Sequence, residues 1–192
     1  AKGMYKYTEN WFNVSEISNE LKNHLDITSK KKMLEIGCFE GLSTVFFADN
    51  FLSHKDSRLD AVDPFITVDN NDHMSYFENS PIEANFDYNI SHCRNREKIS
   101  VYKMTSDVFF VNNNETYDFI YIDGCHLCEF IKRDMENSFS RLNEGGIMWM
   151  DDYRGGKSND SSIKDTMDLF LEQHSGFKVI HVGYQLAIKK QL

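Results

Sequence analysis

Apolar residues recur along this chain in two rhythms that take turns. Val14, Ile17, Leu21 and Leu25 fall three or four positions apart and predict a helix from about Val14 to Leu25, with Asn13 as cap and Glu16 three residues on. A short apolar run over 32–36 then predicts a strand, followed by helical spacing over 42–50. A second strand is expected at 59–63, closed by Pro64. After a long polar loop over 65–80, Ser80-Pro81-Ile82-Glu83 combines a cap, a proline at the first helical position and an early acid, predicting a helix to about Asn95. Strands are expected over 99–104 and 117–122, a helix over 128–142, and the turn Asn143-Glu144-Gly145-Gly146 before a fifth strand at 147–150. Ser162 with Asp165 opens a last helix, and 177–182 with 184–189 predict a hairpin around Gly183.

Strands alternating with helices predict an α/β protein with a Rossmann-like, doubly wound, seven-stranded sheet. It should be mainly parallel, with an antiparallel edge from the C-terminal hairpin. In such sheets the ligand sits beyond the carboxyl ends of the strands, which is where chemistry is to be sought. The division expected is an N-terminal helical extension over 1–30, able to act as a lid, and a main domain over 31–192.

Composition narrows the setting. A chain of 192 residues can bury about two-thirds of its unfolded surface, so a core is available. No run approaches the 18 or so apolar residues of a membrane span, and there is no signal-peptide pattern. With 21 basic and 30 acidic residues the net charge is −9, which opposes binding to a nucleic-acid backbone. Lys30-Lys31-Lys32 is a solvated run at a strand start, and Cys38, Cys93, Cys125 and Cys128 are too sparse for a disulfide scaffold. A reducing, cytoplasmic location is expected. Ala1-Lys2-Gly3 ahead of Met4 reads as an added leader, with the natural start at Met4 or inside a longer polypeptide.

Each strand end carries candidate chemistry. The first runs into Glu35-x-Gly37-x-x-x-Gly41-x-Ser43, where glycines serve a tight turn or a close ligand approach; Phe39 breaks the dinucleotide fingerprint. Asp63 ends the second strand, as an acceptor for ribose hydroxyls or as a cap of the next turn. Thr105-Ser106-Asp107 either caps a short helix or meets an adenine edge. Asp123 ends the fourth strand and Asp151-Asp152 the fifth; on neighbouring strands these carboxylates converge and suit Mg²⁺ or Mn²⁺, and otherwise they cap the loop through Gly155-Gly156. Cys125 and Cys128 lack the second pair that a zinc site needs.

Taken in order, Glu35-Ile-Gly37-Cys38-Phe-Glu-Gly41-Leu-Ser43, Asp63, Ser106-Asp107, Asp123-Gly-Cys125-His126 and Gly145-Gly146…Asp151-Asp152 resemble class I S-adenosylmethionine-dependent methyltransferases. The resemblance is to the small cation-dependent O-methyltransferases, including the catechol and macrolide-sugar enzymes, and covers most of residues 32–190. It implies that Glu35, Gly37, Cys38, Gly41 and Ser43 hold the methionine part of S-adenosyl-L-methionine. It places Asp63 at the ribose, Ser106 and Asp107 at the adenine, and Cys125 against its ring. Asp123, which also borders the cofactor, would hold the metal with Asp151 and Asp152, at the interval of the family's ligands. Aspartate stands where catechol enzymes have asparagine, and His126 where they have lysine; both agree with the sugar-modifying branch. The catechol enzymes' N-terminal lid does not align.

The function expected is metal-assisted O-methylation of a sugar or glycan hydroxyl, such as that of a deoxysugar like rhamnose, within a larger glycan-building polypeptide. Catechol-like or antibiotic acceptors, and a non-catalytic cofactor-binding domain, are the alternatives. Asp123 and Asp151 would act on the acceptor through the cation, and His126 as base, its alternative role being to orient a carboxylate. Trp11-Phe12 and His73, Met74 and Tyr76 are read as lid or packing residues, and Tyr153 and Arg154 as acceptor contacts. The oligomeric state is left open.

Overall fold

A computed structural model describes residues 4–12, 14–66, 81–155 and 162–191. In chain order the elements are α1 (Val14–His24), β1 (Lys32–Ile36), α2 (Leu42–Phe51), β2 (Arg58–Val62), α3 (Ile82–His92), a 3₁₀ turn (Arg96–Lys98) and β3 (Ile99–Tyr102). There follow α4 (Ser106–Asn112), β4 (Tyr117–Ile122), α5 (Cys128–Phe139), β5 (Leu142–Met150), α6 (Ser162–Gln173), β6 (Phe177–Val182) and β7 (Leu186–Lys190).

The seven strands form one sheet in the order β3-β2-β1-β4-β5-β7-β6. The first five are parallel, and β7 runs antiparallel to both β5 and β6. This is the expected Rossmann-like, doubly wound sheet, mainly parallel with antiparallel C-terminal strands. Strand order reverses between β1 and β4, so the crossovers part there and leave a cleft over the strand ends.

Alternation along the central strands feeds two cores. Leu34, Ile36, Ile120, Ile122, Met148 and Met150 face α4, α5 and α6, meeting Phe109, Ile131, Met135, Met167 and Phe170. The intervening Met33, Phe119, Tyr121, Ile147 and Trp149 face α1 and α2, meeting Ile17, Leu21, Phe47 and Phe51. Both faces being covered explains why these strands are so rich in apolar residues. Each fully buried side chain of this size contributes about 1.5–3 kcal/mol over leaving it in water.

Several boundaries depart from the sequence expectation, the end of α3 at His92 and the start of β7 at Leu186 among them. β5 begins at Leu142: Tyr117 pairs with Leu142, then the register slips before Phe119 meets Ile147. Gly145 and Gly146 therefore lie in a bulge within the strand, and a Cβ on Gly146 would stand 2.8 Å from the Asn143 carbonyl. α5 ends at Phe139, and the Arg141 guanidinium gathers the carbonyls of Phe110, Asn113 and Asn137 at 2.9–3.1 Å. β3 ends at Tyr102, and Thr105 caps α4 by accepting from Val108 N at 3.3 Å. The cap reading at 105–107 is thus realised by Thr105. Asn13 and Ser80, expected as caps, and His73, Met74, Tyr76 and Gly156 lie outside the described residues. Among the described residues no helix is long and apolar enough to cross a membrane.

Candidate active site

Four adjacent strand ends, those of β2, β1, β4 and β5, are fastened to one another by main-chain hydrogen bonds. Gly37 N donates to Val62 O at 2.9 Å, Asp123 N to Ile36 O at 2.8 Å, and Asp151 N to Ile122 O at 3.0 Å. Gly37 has φ +86°, and a Cβ there would lie 2.0 Å from the Asp123 carbonyl oxygen. Only glycine can take that conformation with the β4 end so close. Two residues on, Phe39 holds a positive φ of 52° without being glycine.

Glu35 points from β1 toward α2 and is fully buried; its carboxylate accepts from the Ser43 and Thr44 hydroxyls. Burial pushes its pKa up to about 7, against the pull of those two donors. Glu35 and Ser43 thus meet each other beneath the turn. Cys38 is buried too, and its thiol is pushed far up by burial and by the nearby Glu35 and Asp63 carboxyls. Asp63 accepts from Cys38 N at 2.8 Å, Phe39 N at 3.1 Å and Phe65 N at 2.8 Å. These three donors favour its charge, but desolvation is larger and its pKa is raised. Asp63 joins the first two strand ends and shapes the turn between them.

The turn is also held from the N-terminal side. Glu40, fully buried, accepts from Thr8 N (2.7 Å), Thr8 Oγ1 (2.9 Å) and Asn85 Nδ2 (2.7 Å), while Asn89 binds the Glu40 carbonyl and both polar groups of the Lys6 backbone. Trp11, 49% exposed, stacks on Phe39 at 4.5 Å, whereas Phe12 packs into the core against Phe46, Phe47 and Tyr121.

Ser106 and Asp107 open α4 and each meets α5. Ser106 Oγ donates to Asp134 Oδ1 at 2.5 Å, and Arg133 forks onto Asp107 at 2.9 and 3.2 Å. Asp134 is buried, and desolvation raises its pKa to about 7.

The acidic cluster lies at the ends of β4 and β5. Ligand atoms of Asp123, His126 and Asp152 all fall within 4.8 Å of one another. His126 Nε2 meets Asp152 Oδ2 at 2.8 Å, and the Tyr184 hydroxyl donates to Asp152 Oδ1. Asp151 stands beside this trio, hydrogen-bonded to Asp123 and accepting from Gln185 Nε2 at 2.8 Å. Gln185 is itself fixed by Trp149 Nε1, which donates to its Oε1 at 2.8 Å. Burial and then the two neighbouring carboxylates hold the Asp123 pKa far above the carboxylate range. Two carboxylates and an imidazole at this spacing, with the Asp151 carboxylate alongside, are a donor set that fits a hard divalent cation, whose charge would relieve the repulsion.

Cys125 and Cys128 are half-buried, are not joined in a disulfide and lie outside this cluster. Tyr153, expected at the acceptor, is buried instead, its hydroxyl on Asp168 Oδ1 at 2.5 Å; Arg154 is exposed and donates to the Gly183 carbonyl. The sequence reading did not single out Asp134, Tyr184, Gln185, Thr44 or Glu40. Glu40 and Thr44 carried a signal, being inside or beside the glycine turn.

A family model described as a methyltransferase domain matches residues 34–153. No curated protein sequence matches the chain. Among solved structures, an O-methyltransferase from Bacillus cereus in complex with SAH superposes with a TM-score of 0.62 at 14% identity, over 96% of this chain and 84% of that one. The O-methyltransferase TomG from Streptomyces achromogenes, involved in tomaymycin synthesis and in complex with SAM, gives 0.66 at 11% identity over 92% and 79%. The calicheamicin methyltransferase CalS11 gives 0.64 at 14% identity over 92% and 77%. At these identities the likeness is one of fold.

Proposed function

The chain belongs to the methyltransferase domain family, and from that premise we propose that it transfers the methyl group of S-adenosyl-L-methionine to a hydroxyl of a sugar or glycan. The observation that carries this reading is the meeting of Asp123, His126 and Asp152 beside the Gly37–Ser43 turn, with Asp151 alongside. Histidine and a second C-terminal aspartate are the features of the sugar-modifying branch of the resemblance, which favours a sugar over a catechol. TomG and CalS11 favour a second reading, an antibiotic-type small molecule as acceptor.

In this reading the turn from Gly37 to Ser43 receives the methionine part, with Glu35 bracing it from below. Asp63 stands at the ribose, Ser106 and Asp107 at the adenine, and Cys125 against the ring. Asp123, Asp151 and Asp152 hold Mg²⁺ or Mn²⁺. When bound, such a cation lowers the pKa of a hydroxyl and fixes its direction.

Transfer is an in-line displacement: the acceptor oxygen forms a bond to the methyl carbon as the carbon–sulfur bond breaks, leaving a neutral thioether. The hydroxyl proton passes to His126, and Asp152, 2.8 Å from Nε2, stabilises the imidazolium that results. Gln185 and Tyr184 hold the two carboxylates in place.

Calorimetric titration with S-adenosylhomocysteine, with and without Mg²⁺, tests this. Micromolar binding that weakens in Asp63→Ala is expected, followed by metal-dependent methylation of a deoxysugar in a panel that includes catechols. No heat and no thermal shift at millimolar ligand would overturn the proposal.

A further inference from the structure

Resting on the reading that this cleft binds S-adenosylmethionine, we infer that Asp134 recognises the exocyclic amine of the adenine and so sets the base specificity of the cofactor pocket. Asp134 lies midway along α5, on the face that carries Ile131 and Met135 into the core, and is only 3% exposed. Two strand-end segments meet over its carboxylate. From the β3 side, Ser106 Oγ donates to Oδ1 at 2.5 Å. From the β4 side comes Gly124, where a Cβ would stand 3.5 Å from Oδ2.

The two oxygens are not equivalent. Oδ1 is satisfied by Ser106, whereas Oδ2 accepts no hydrogen bond among the described residues. Neighbouring Arg133 is committed to Asp107, with Nη2 2.9 Å from its Oδ2. Nor is Asp134 Oδ2 sealed in the interior without a hydrogen bond, as Tyr7 Oη and Ser138 Oγ are among the described residues. It therefore keeps an opening beside the Gly124 loop. A carboxylate oxygen this buried and without a donor is costly, and a ligand N–H that reaches it removes the cost.

Adenosylmethionine offers few such donors. Its amino-acid end belongs at the Gly37 turn and its ribose at Asp63, and the sulfonium has no N–H. The exocyclic amine remains, at the Ser106 and Gly124 side. A ring with a carbonyl in that place, as in hypoxanthine, would set two acceptors against each other. Size does not separate the two rings, so the discrimination has to come from hydrogen bonding.

The test is calorimetric titration of the full chain with S-adenosylhomocysteine and with its deaminated counterpart, S-inosylhomocysteine. At about pH 8.5, where Asp134 is ionised, the unsubstituted protein should prefer the adenine compound by about 10- to 100-fold, the worth of one hydrogen bond to a charged acceptor. Asp134→Asn, whose amide can donate to a ring carbonyl, should lose most of that preference or invert it. Thermal midpoints without ligand separate lost recognition from lost folding. Equal binding of the two compounds by the unsubstituted protein overturns the inference without any variant. So does a folded Asp134→Asn protein with undiminished preference. Binding of neither compound would instead remove the cofactor reading itself.

Discussion

Replacing Glu35 by glutamine should remove one component of a stability that falls as pH rises. In the folded chain, burial raises the Glu35 pKa from 4.5 to about 7, although Ser43 and Thr44 both donate to it. Between those two values the folded state keeps a proton that the unfolded chain has released. Stability from this group is therefore full below about pH 4.5, declines by about 1.4 kcal/mol per pH unit as pH rises through the window, and is flat above about pH 7. The whole decline is about 3 kcal/mol. Glutamine has nearly the same shape and no charge, so the difference in unfolding free energy, variant minus parent, should rise by about 3 kcal/mol from pH 4.5 to pH 8. Asp63 and Asp134, also raised by burial, titrate in both proteins and largely cancel in that difference. Urea unfolding reports it through the emission of the fully buried Trp149. A difference that stays constant with pH would refute the argument, showing Glu35 ionised throughout, its charge carried by the two hydroxyls.

Gly37→Ala should cost at least about 2 kcal/mol, from the left-handed backbone and the collision with the Asp123 carbonyl. A thermal midpoint within a degree of the parent would contradict that. Gln185→Leu should cost about 2–4 kcal/mol because it strands both Trp149 Nε1 and Asp151 Oδ1, and chemical denaturation with a red-shifted folded-state emission checks it. Saturating Mg²⁺, at about a hundred times its dissociation constant, should add about 2.7 kcal/mol and raise the midpoint by several degrees. Asp123→Asn and Asp152→Asn should each lose most of that rise; a full rise in both would take the cation away from these residues.

The residues most legible in sequence are those whose role is set by one local pattern. β1 and β4 appear as short, mostly apolar runs because they are covered on both faces, and their ends match the expected 32–36 and 117–122. The strand-end acids were visible because each follows such a run. The start of β5 was hidden, since a bulge at Gly145-Gly146 carries the same residues as a turn. Asp134 was hidden for a different reason: within Lys132-Arg133-Asp134-Met135-Glu136 it looks like one charge of a solvated face. Only the packing of α5 beneath the β3 and β4 ends turns it inward. Gln185 and Tyr184 sit in the hairpin connection, and their partners Asp151 and Asp152 are more than 30 residues away, beyond the reach of any periodicity.

The bonds from Gly37 to Val62, Asp123 to Ile36 and Asp151 to Ile122 are made by backbone alone. On the proposed reading they join the place that delivers the methyl group to the place that receives it. The gap between donor and acceptor is then a property of sheet geometry rather than of any side chain, and every neighbour in the row resists its drift. Loops beyond the strand tips can lengthen, shorten or change chemistry while the line of attack stays where it was. Such a scaffold suits descent into many acceptor preferences, because selection can rewrite what is methylated without relearning how.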